Sequence, residues 1–223
     1  MRAITQSIVI ASLLLVSSSA SGQHAEDNIP PELLEAFRDV QNSTKENPEL
    51  LEQLIETGRE RARFCNTCHG PDGSAVRPNY PSLAAQNPLY LLDQIEQFAT
   101  GNRQKEAMNV LAEQFSTEEK ITLSLYYANM DLEPAEYDAE LADRGEHPYS
   151  RYCTQCHGSD GLGSDGYARI AGQQPVYVAN VLTEYRSGDS PRRQSEMFGI
   201  VRALSNRDIE TVAHYVARMG ENR

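Results

Sequence analysis

All four cysteines of this 223-residue chain fall in two copies of one motif, Cys65-Asn66-Thr67-Cys68-His69 and Cys153-Thr154-Gln155-Cys156-His157. Two thiols separated by two residues can each add to one vinyl group of the same porphyrin. The histidine that follows then lies under the iron as its proximal ligand. The motif therefore predicts two covalently bound haem c groups, with Cys65, Cys68, Cys153 and Cys156 as attachment points and His69 and His157 as iron ligands. Disulfides would make the repeated motif a coincidence. A zinc site does not call for histidine directly after each cysteine pair. A thioredoxin-like pair needs a βαβ context, which the chain does not offer.

The motif is part of a longer repeat. Cys65 and Cys153, His69 and His157, and Gly70 and Gly158 are each 88 residues apart. Leu83-Ala84-Ala85-Gln86-Asn87-Pro88-Leu89-Tyr90 recurs 87 residues on as Ile170-Ala171-Gly172-Gln173-Gln174-Pro175-Val176-Tyr177. Met108, Ser116, Tyr126 and Met130 recur 89 residues on as Met197, Ser205, Tyr215 and Met219. Such self-similarity marks a duplicated domain. In each copy a short helix is expected to enter the cysteine motif, and a second to start at Pro88 or Pro175 and stop at Gly101 or Gly188. A third starts from Ser116 or Ser205, with Glu119 or Asp208 completing a capping box. No alternating strand pattern appears, so the fold class is all-α. Small domains of this kind have thin cores and need a staple, which a covalent haem supplies.

Iron has a second axial position. Met108 and Met197 each lie eight residues before the final helix's N-cap serine, in the expected loop ahead of that helix, where a thioether can swing over the iron. They are the predicted axial ligands opposite His69 and His157, whereas Met130 and Met219, at the end of the helix, are expected to pack. Arg103, Lys105, Arg192 and Arg193 lie just upstream and either contact haem propionates or form a solvated basic face. His24, His147 and His214 are the reserve ligands should the methionines fail.

Residues 1–22 carry Arg2, a short apolar core from Ile8 to Val16 and small residues up to Gly22, the layout of a cleaved export signal. No other stretch is apolar enough to span a bilayer, so the mature chain is expected to be soluble and exported. With 20 Lys+Arg against 32 Asp+Glu the net charge is −12, which argues against nucleic-acid binding. Residues 23–56 hold 9 acidic and 2 basic side chains, so this segment carries much of the acidity. Its apolar residues Ile29, Leu33, Leu34, Phe37 and Val40, and then Leu50, Leu51, Leu54 and Ile55, form helical stripes. It reads either as a helical hairpin packed on the first repeat or as a docking element for a partner.

Taken together, the tandem Cys-x-x-Cys-His motifs, the Gln-x-Pro-x-Tyr segments and the methionine ahead of a serine-capped last helix resemble the dihaem cytochromes c4, from about Thr57 to Gly220. The resemblance implies two tandem class I cytochrome c domains, each wrapped around a covalent haem and ligated by histidine and methionine, preceded here by a helical N-terminal extension. The export-signal layout and the internal repeat divide the chain into a signal peptide (1–22), an acidic extension (23–56) that departs from the family pattern, domain 1 (57–133) and domain 2 (134–223). It implies a periplasmic electron carrier between redox proteins, with a cytochrome bc1-type donor and a terminal oxidase or dehydrogenase as partners, meeting the membrane only through them. The alternatives are a cytochrome subunit of a periplasmic dehydrogenase of the flavocytochrome kind, or a small haem enzyme such as a peroxidase or a thiosulfate-oxidising cytochrome. Family members often offer the proximal histidine a proline carbonyl. Pro81 matches, but the second repeat has Ala168 there.

Overall fold

Prolines set where most of the long helices begin, because the first helical position needs no backbone N–H. The computed structural model describes residues 23–164, 166–192 and 195–222. The expected export signal, residues 1–22, and Arg193 lie outside them. The chain opens with α1 (Gln23–Asp27), α2 (Pro31–Glu46) and α3 (Pro48–Arg61), followed by a 3-10 turn (Ala62–Phe64) and the motif helix α4 (Asn66–His69). Then come α5 (Pro88–Ala99), α6 (Glu106–Ala112) and α7 (Thr117–Ala128). The second half repeats the order with α8 (Ala139–Tyr152), the motif helix α9 (Thr154–His157), α10 (Pro175–Ser187), α11 (Met197–Val201) and α12 (Asn206–Arg218). Pro31, Pro48, Pro88 and Pro175 each open a helix. Among the described residues the structure is all-α, with two isolated bridges and no strand.

The expected caps form. Ser116 Oγ accepts from Glu119 N at 3.2 Å while Glu119 Oε2 accepts from Ser116 N at 2.8 Å, and Ser205 and Asp208 make the same reciprocal pair on α12. Gly101 and Gly188 follow α5 and α10 with φ of 73° and 82°, a left-handed conformation that suits glycine.

The helices entering the cysteine motifs are longer than expected. Both α3 and α8 run 14 residues, and each crosses the last helix of its own half, α3 on α7 and α8 on α12. Glycine permits the crossing. A Cβ on Gly58 would sit 2.5 Å from the Thr122 carbonyl oxygen and 2.6 Å from Tyr126 Cβ. Gly145 meets Thr211 and Tyr215 in the same way. The boundary expected between residues 56 and 57 falls inside α3, whose packing on α7 matches that of α8 on α12.

The remaining extension, α1 and α2, packs on the first half. Ala25, Ile29, Leu33 and Phe37 are buried against Leu89 and Leu92 of α5 and Ile121 and Leu125 of α7. The matching residues of the second half are Val176, which is 46% exposed, together with Ala179, Glu210 and His214. The apolar face that needs covering therefore exists on one half only. Of the two readings of this segment, the packed one describes its apolar stripe.

Candidate haem sites and the interface between them

The two motif helices bring their cysteines and histidines to one continuous cavity of about 1110 Å³. That exceeds the roughly 300–1,000 Å³ of an ordinary small-molecule pocket. Cys65, Cys68, His69 and Met108 line one end, and Cys153, Cys156, His157 and Met197 line the other. The walls are largely apolar, with Leu91, Leu111 and Leu123 on one side and Val178, Ile200 and Val212 on the other. No disulfide joins the four cysteines. Among the described residues no group of three or more His, Cys, Asp or Glu could hold a metal ion, so the zinc alternative has no cage.

Both histidines are oriented for a ligand. His69 Nδ1 donates to the Pro81 carbonyl at 2.9 Å and His157 Nδ1 donates to the Ala168 carbonyl at 2.8 Å. A carbonyl can only accept, so the proton sits on Nδ1 and Nε2 keeps its lone pair. Burial pushes both imidazoles below the usual histidine range, which keeps them neutral near pH 7. The replacement of proline by Ala168 leaves this hydrogen bond intact, because the acceptor is backbone.

The two methionine pairs go to different places. Met108 is the third residue of α6 and Met197 the first of α11, and both line the cavity. They sit on short helices rather than in the open loop expected from the sequence, which holds them with less freedom. Met130 and Met219 are not in the cavity wall. Their sulfurs lie 3.2 Å from where a Cβ on Gly73 or Gly161 would be, as packing residues behind the motif loops. Of the reserve histidines, the His24 side chain lies outside the described residues, and the other two are away from the cavity. His147 is exposed, and His214 Nδ1 accepts from the Asp138 backbone N–H at 3.0 Å.

Between the halves lies a set of contacts that the sequence did not reveal. Gln86 Nε2 donates to the Arg169 carbonyl at 2.8 Å while its Oε1 accepts from Arg169 N at 2.7 Å. Gln173 makes the same pair of bonds to Ser82, at 3.0 and 2.8 Å. Each glutamine thus reads both backbone groups of one residue in the opposite half. Since 82 and 169, like 86 and 173, are 87 residues apart, the arrangement has an approximate two-fold axis. Near that axis Arg103 and Arg192 form an antiparallel bridge, and both guanidinium groups donate to the Tyr177 hydroxyl, at 3.3 and 3.1 Å. Arg103 also donates to Gln94 Oε1 at 2.7 Å and lies over the Phe98 ring. Arg192 lies over Tyr185, the counterpart of Phe98. Burial pushes the Tyr177 hydroxyl up, but the charges of Arg192 and Arg103 outweigh it and bring it down to about 8. The signal that could have exposed this interface was a polar residue repeated at fixed spacing inside an otherwise apolar segment.

The cavity wall fits haem. Arg103 and Arg192 are 8% and 9% exposed, both line the cavity, and neither forms an ion pair with a carboxylate among the described residues. Two buried guanidinium groups outside any direct ion pair, with one carboxyl group, Asp93, nearby, favour further anionic partners, which haem propionates would supply. Among the described residues Arg103 Nε is buried without a hydrogen-bond partner in the same wall. Arg103 and Arg192 are buried in the cavity wall and so do not form a solvated face, whereas Lys105 pairs with Glu184 at 3.3 Å.

Known proteins resemble this chain in sequence and fold. No family model matches the chain. It is 31% identical over 180 residues to cytochrome c4 of Azotobacter vinelandii, covering 71% of this chain and 86% of that one. It is 30% identical to a thiosulfate dehydrogenase electron acceptor of Stutzerimonas stutzeri, over 72% and 81% of the two chains. The crystal structure of reduced recombinant cytochrome c4 from Pseudomonas stutzeri superimposes with a TM-score of 0.68 at 29% identity, covering 73% of this chain and 97% of that one.

Proposed function

The chain belongs to the cytochrome c4 family, and from that premise we propose that its two symmetry-related pockets hold haems ligated by His69 with Met108 and by His157 with Met197, and pass electrons between them. It is a dihaem c-type cytochrome and an electron carrier. The haem c groups, when bound, supply one-electron Fe(III)/Fe(II) couples.

The chain's own residues do the rest. Cys65, Cys68, Cys153 and Cys156 tether the cofactors covalently. Pro81 and Ala168 carbonyls fix the histidine tautomer and raise the basicity of the ligating nitrogen. Apolar walls exclude water and so limit reorganisation around the iron. Gln86 and Gln173 hold the halves in register, and Arg103 and Arg192 compensate propionate charge at the interface. His69 with Met108 and His157 with Met197 would hold the two haem irons, and irons so held would leave peroxide or oxygen no place to bind, which argues for transfer without substrate chemistry. The observation that carries the reading is the single cavity lined at both ends by one complete ligand set. Domain 1 on this reading begins at α3, leaving α1 and α2 as the extension.

We place the carrier in the periplasm, on the strength of the export-signal layout of residues 1–22. No described helix is long and apolar enough to cross a membrane. Its partners are redox proteins, a cytochrome bc1-type donor and a terminal oxidase on the first reading. The test is to mix the fully reduced protein with carbon monoxide and, separately, with a one-electron acceptor. Two electrons should leave and no carbon monoxide should bind. Carbon monoxide binding at either iron would contradict two filled axial positions. A second reading is that the chain accepts electrons from a thiosulfate dehydrogenase, which the likeness to the Stutzerimonas stutzeri acceptor favours. It predicts reduction by thiosulfate only when such an enzyme is added. Reduction by thiosulfate alone would instead make this chain an enzyme.

A further inference from the structure

Among the buried acids near the cavity, Asp93 of α5 stands apart. It is 5% exposed, and among the described residues its two oxygens accept from neutral amides, Gln94 Nε2 at 2.7 Å and Gln97 Nε2 at 3.1 Å. Glu96, on the same helix and 6% exposed, is instead paired with Lys120 at 2.6 Å. Asp93 lines the haem cavity, and it also lines a small polar cavity of about 40 Å³ shared with Asn28, Asn102, Arg103 and Arg192. Such a space holds one or two waters. The corresponding residue of the second half is Asn180, so two haem pockets share one such carboxyl group.

We propose that Asp93 is a redox-linked proton site: the protein binds one proton at this carboxylate as its haems are reduced and releases it as they are oxidised. The inference rests on the two-haem reading above. On oxidation one electron leaves an iron for a one-electron acceptor, and the proton on an Asp93 oxygen leaves for solvent through the small polar cavity. On reduction both return, so charge in the buried region stays balanced. Burial pushes Asp93 up to about 6, with Gln94, Gln97, Arg103 and Arg192 opposing, so the group changes charge near neutrality. The charged groups facing it are Arg103 and Arg192, with the Tyr90 and Tyr177 hydroxyls on the same wall. From the packed elements, the turn after α1 faces it with Asn28, α7 has Lys120 engaged by Glu96, and Glu106 of α6 lines the larger cavity. Bound propionates join this set. Adding an electron makes the region more negative and raises the affinity for a proton, so a midpoint potential falls as pH rises through the window around 6.

The experiment is a spectroelectrochemical titration of the dihaem protein across that window, with proton uptake measured on full reduction and a redox-difference infrared spectrum. The expected result is about one proton for two electrons, a carboxyl band in the reduced form, and loss of both in Asp93→Asn with pH-independent midpoints. Proton uptake that persists in Asp93→Asn assigns the proton to a propionate or another group and overturns the proposal. If the variant does not fold, wild-type protein carrying aspartate 13C-labelled at its side-chain carboxyl decides: a carboxyl band of the reduced form that shifts with the label supports the proposal, and an absent or unshifted band overturns it. Failure of the two-haem reading is distinguishable, because it appears in the haem content and ligand bands at any single pH.

Discussion

At the scale of the residue, close approaches inside each half and polar contacts between the halves decide whether the molecule packs. Gly58→Ala forces a methyl into the Thr122 carbonyl and Tyr126, and Gly145→Ala does the same against Thr211 and Tyr215. Each is predicted to cost about 1–3 kcal/mol in denaturant unfolding of the haem-loaded protein. Gln86→Ala strips the Arg169 N–H and carbonyl of their partners inside the interface. A cost of about 1–3 kcal/mol per buried group left unsatisfied follows, and Gln173→Ala should match it by symmetry. Wild-type-like unfolding of both glutamine variants would mean that water replaces them. The gathering of the cysteines and histidines on one cavity was legible because the motif fixes their spacing. The glutamine contacts and the arginine bridge between the halves were not, because they depend on which backbone lies opposite, and one copy of the repeat cannot say where the other sits.

At the scale of the element, start signals were legible and extents less so. Proline and serine capping put the beginnings of α5, α7, α10 and α12 where the sequence suggested. α3 and α8 were underestimated because their buried stripes are narrow. In α8 the buried residues are Ala142, Gly145, Pro148 and Tyr149, and in α3 only Gly58, so hydrophobic periodicity hardly registers. Helix α2 shows the opposite case, with an evident stripe whose target could be found only in the fold. Phe37 is 1% exposed against Leu89, Leu92 and Leu125. Phe37→Ala should therefore destabilise the first half by about 3–5 kcal/mol while the second half unfolds as before. A calorimetric trace in which both halves shift equally would show instead that they unfold as one unit.

At the scale of the whole molecule, the duplication places two equivalent ligand sets on one cavity, and departures from symmetry mark where the halves differ. The extension covers one half, and Asp93 and Tyr127 have Asn180 and Val216 as counterparts. Charge is uneven as well, since residues 23–56 carry 9 acidic and 2 basic groups. With its apolar stripe buried on the first half, what this segment offers a partner is its acidic outer face. Neutralising Glu32, Glu35 and Asp39, all solvent-facing on α2, should flatten the salt dependence of electron transfer to a basic partner. An unchanged dependence would move the steering surface elsewhere. The central claim is that each half holds one haem with the methionine ahead of its last helix as sixth ligand. Its most direct test is the weak far-red absorption band of methionine coordinated to ferric iron, measured per haem. Met108→Ala and Met197→Ala should each remove half of it and together all of it, while Met130→Ala and Met219→Ala leave it intact. A full band in Met108→Ala or Met197→Ala, or its loss in Met130→Ala or Met219→Ala, would contradict the account.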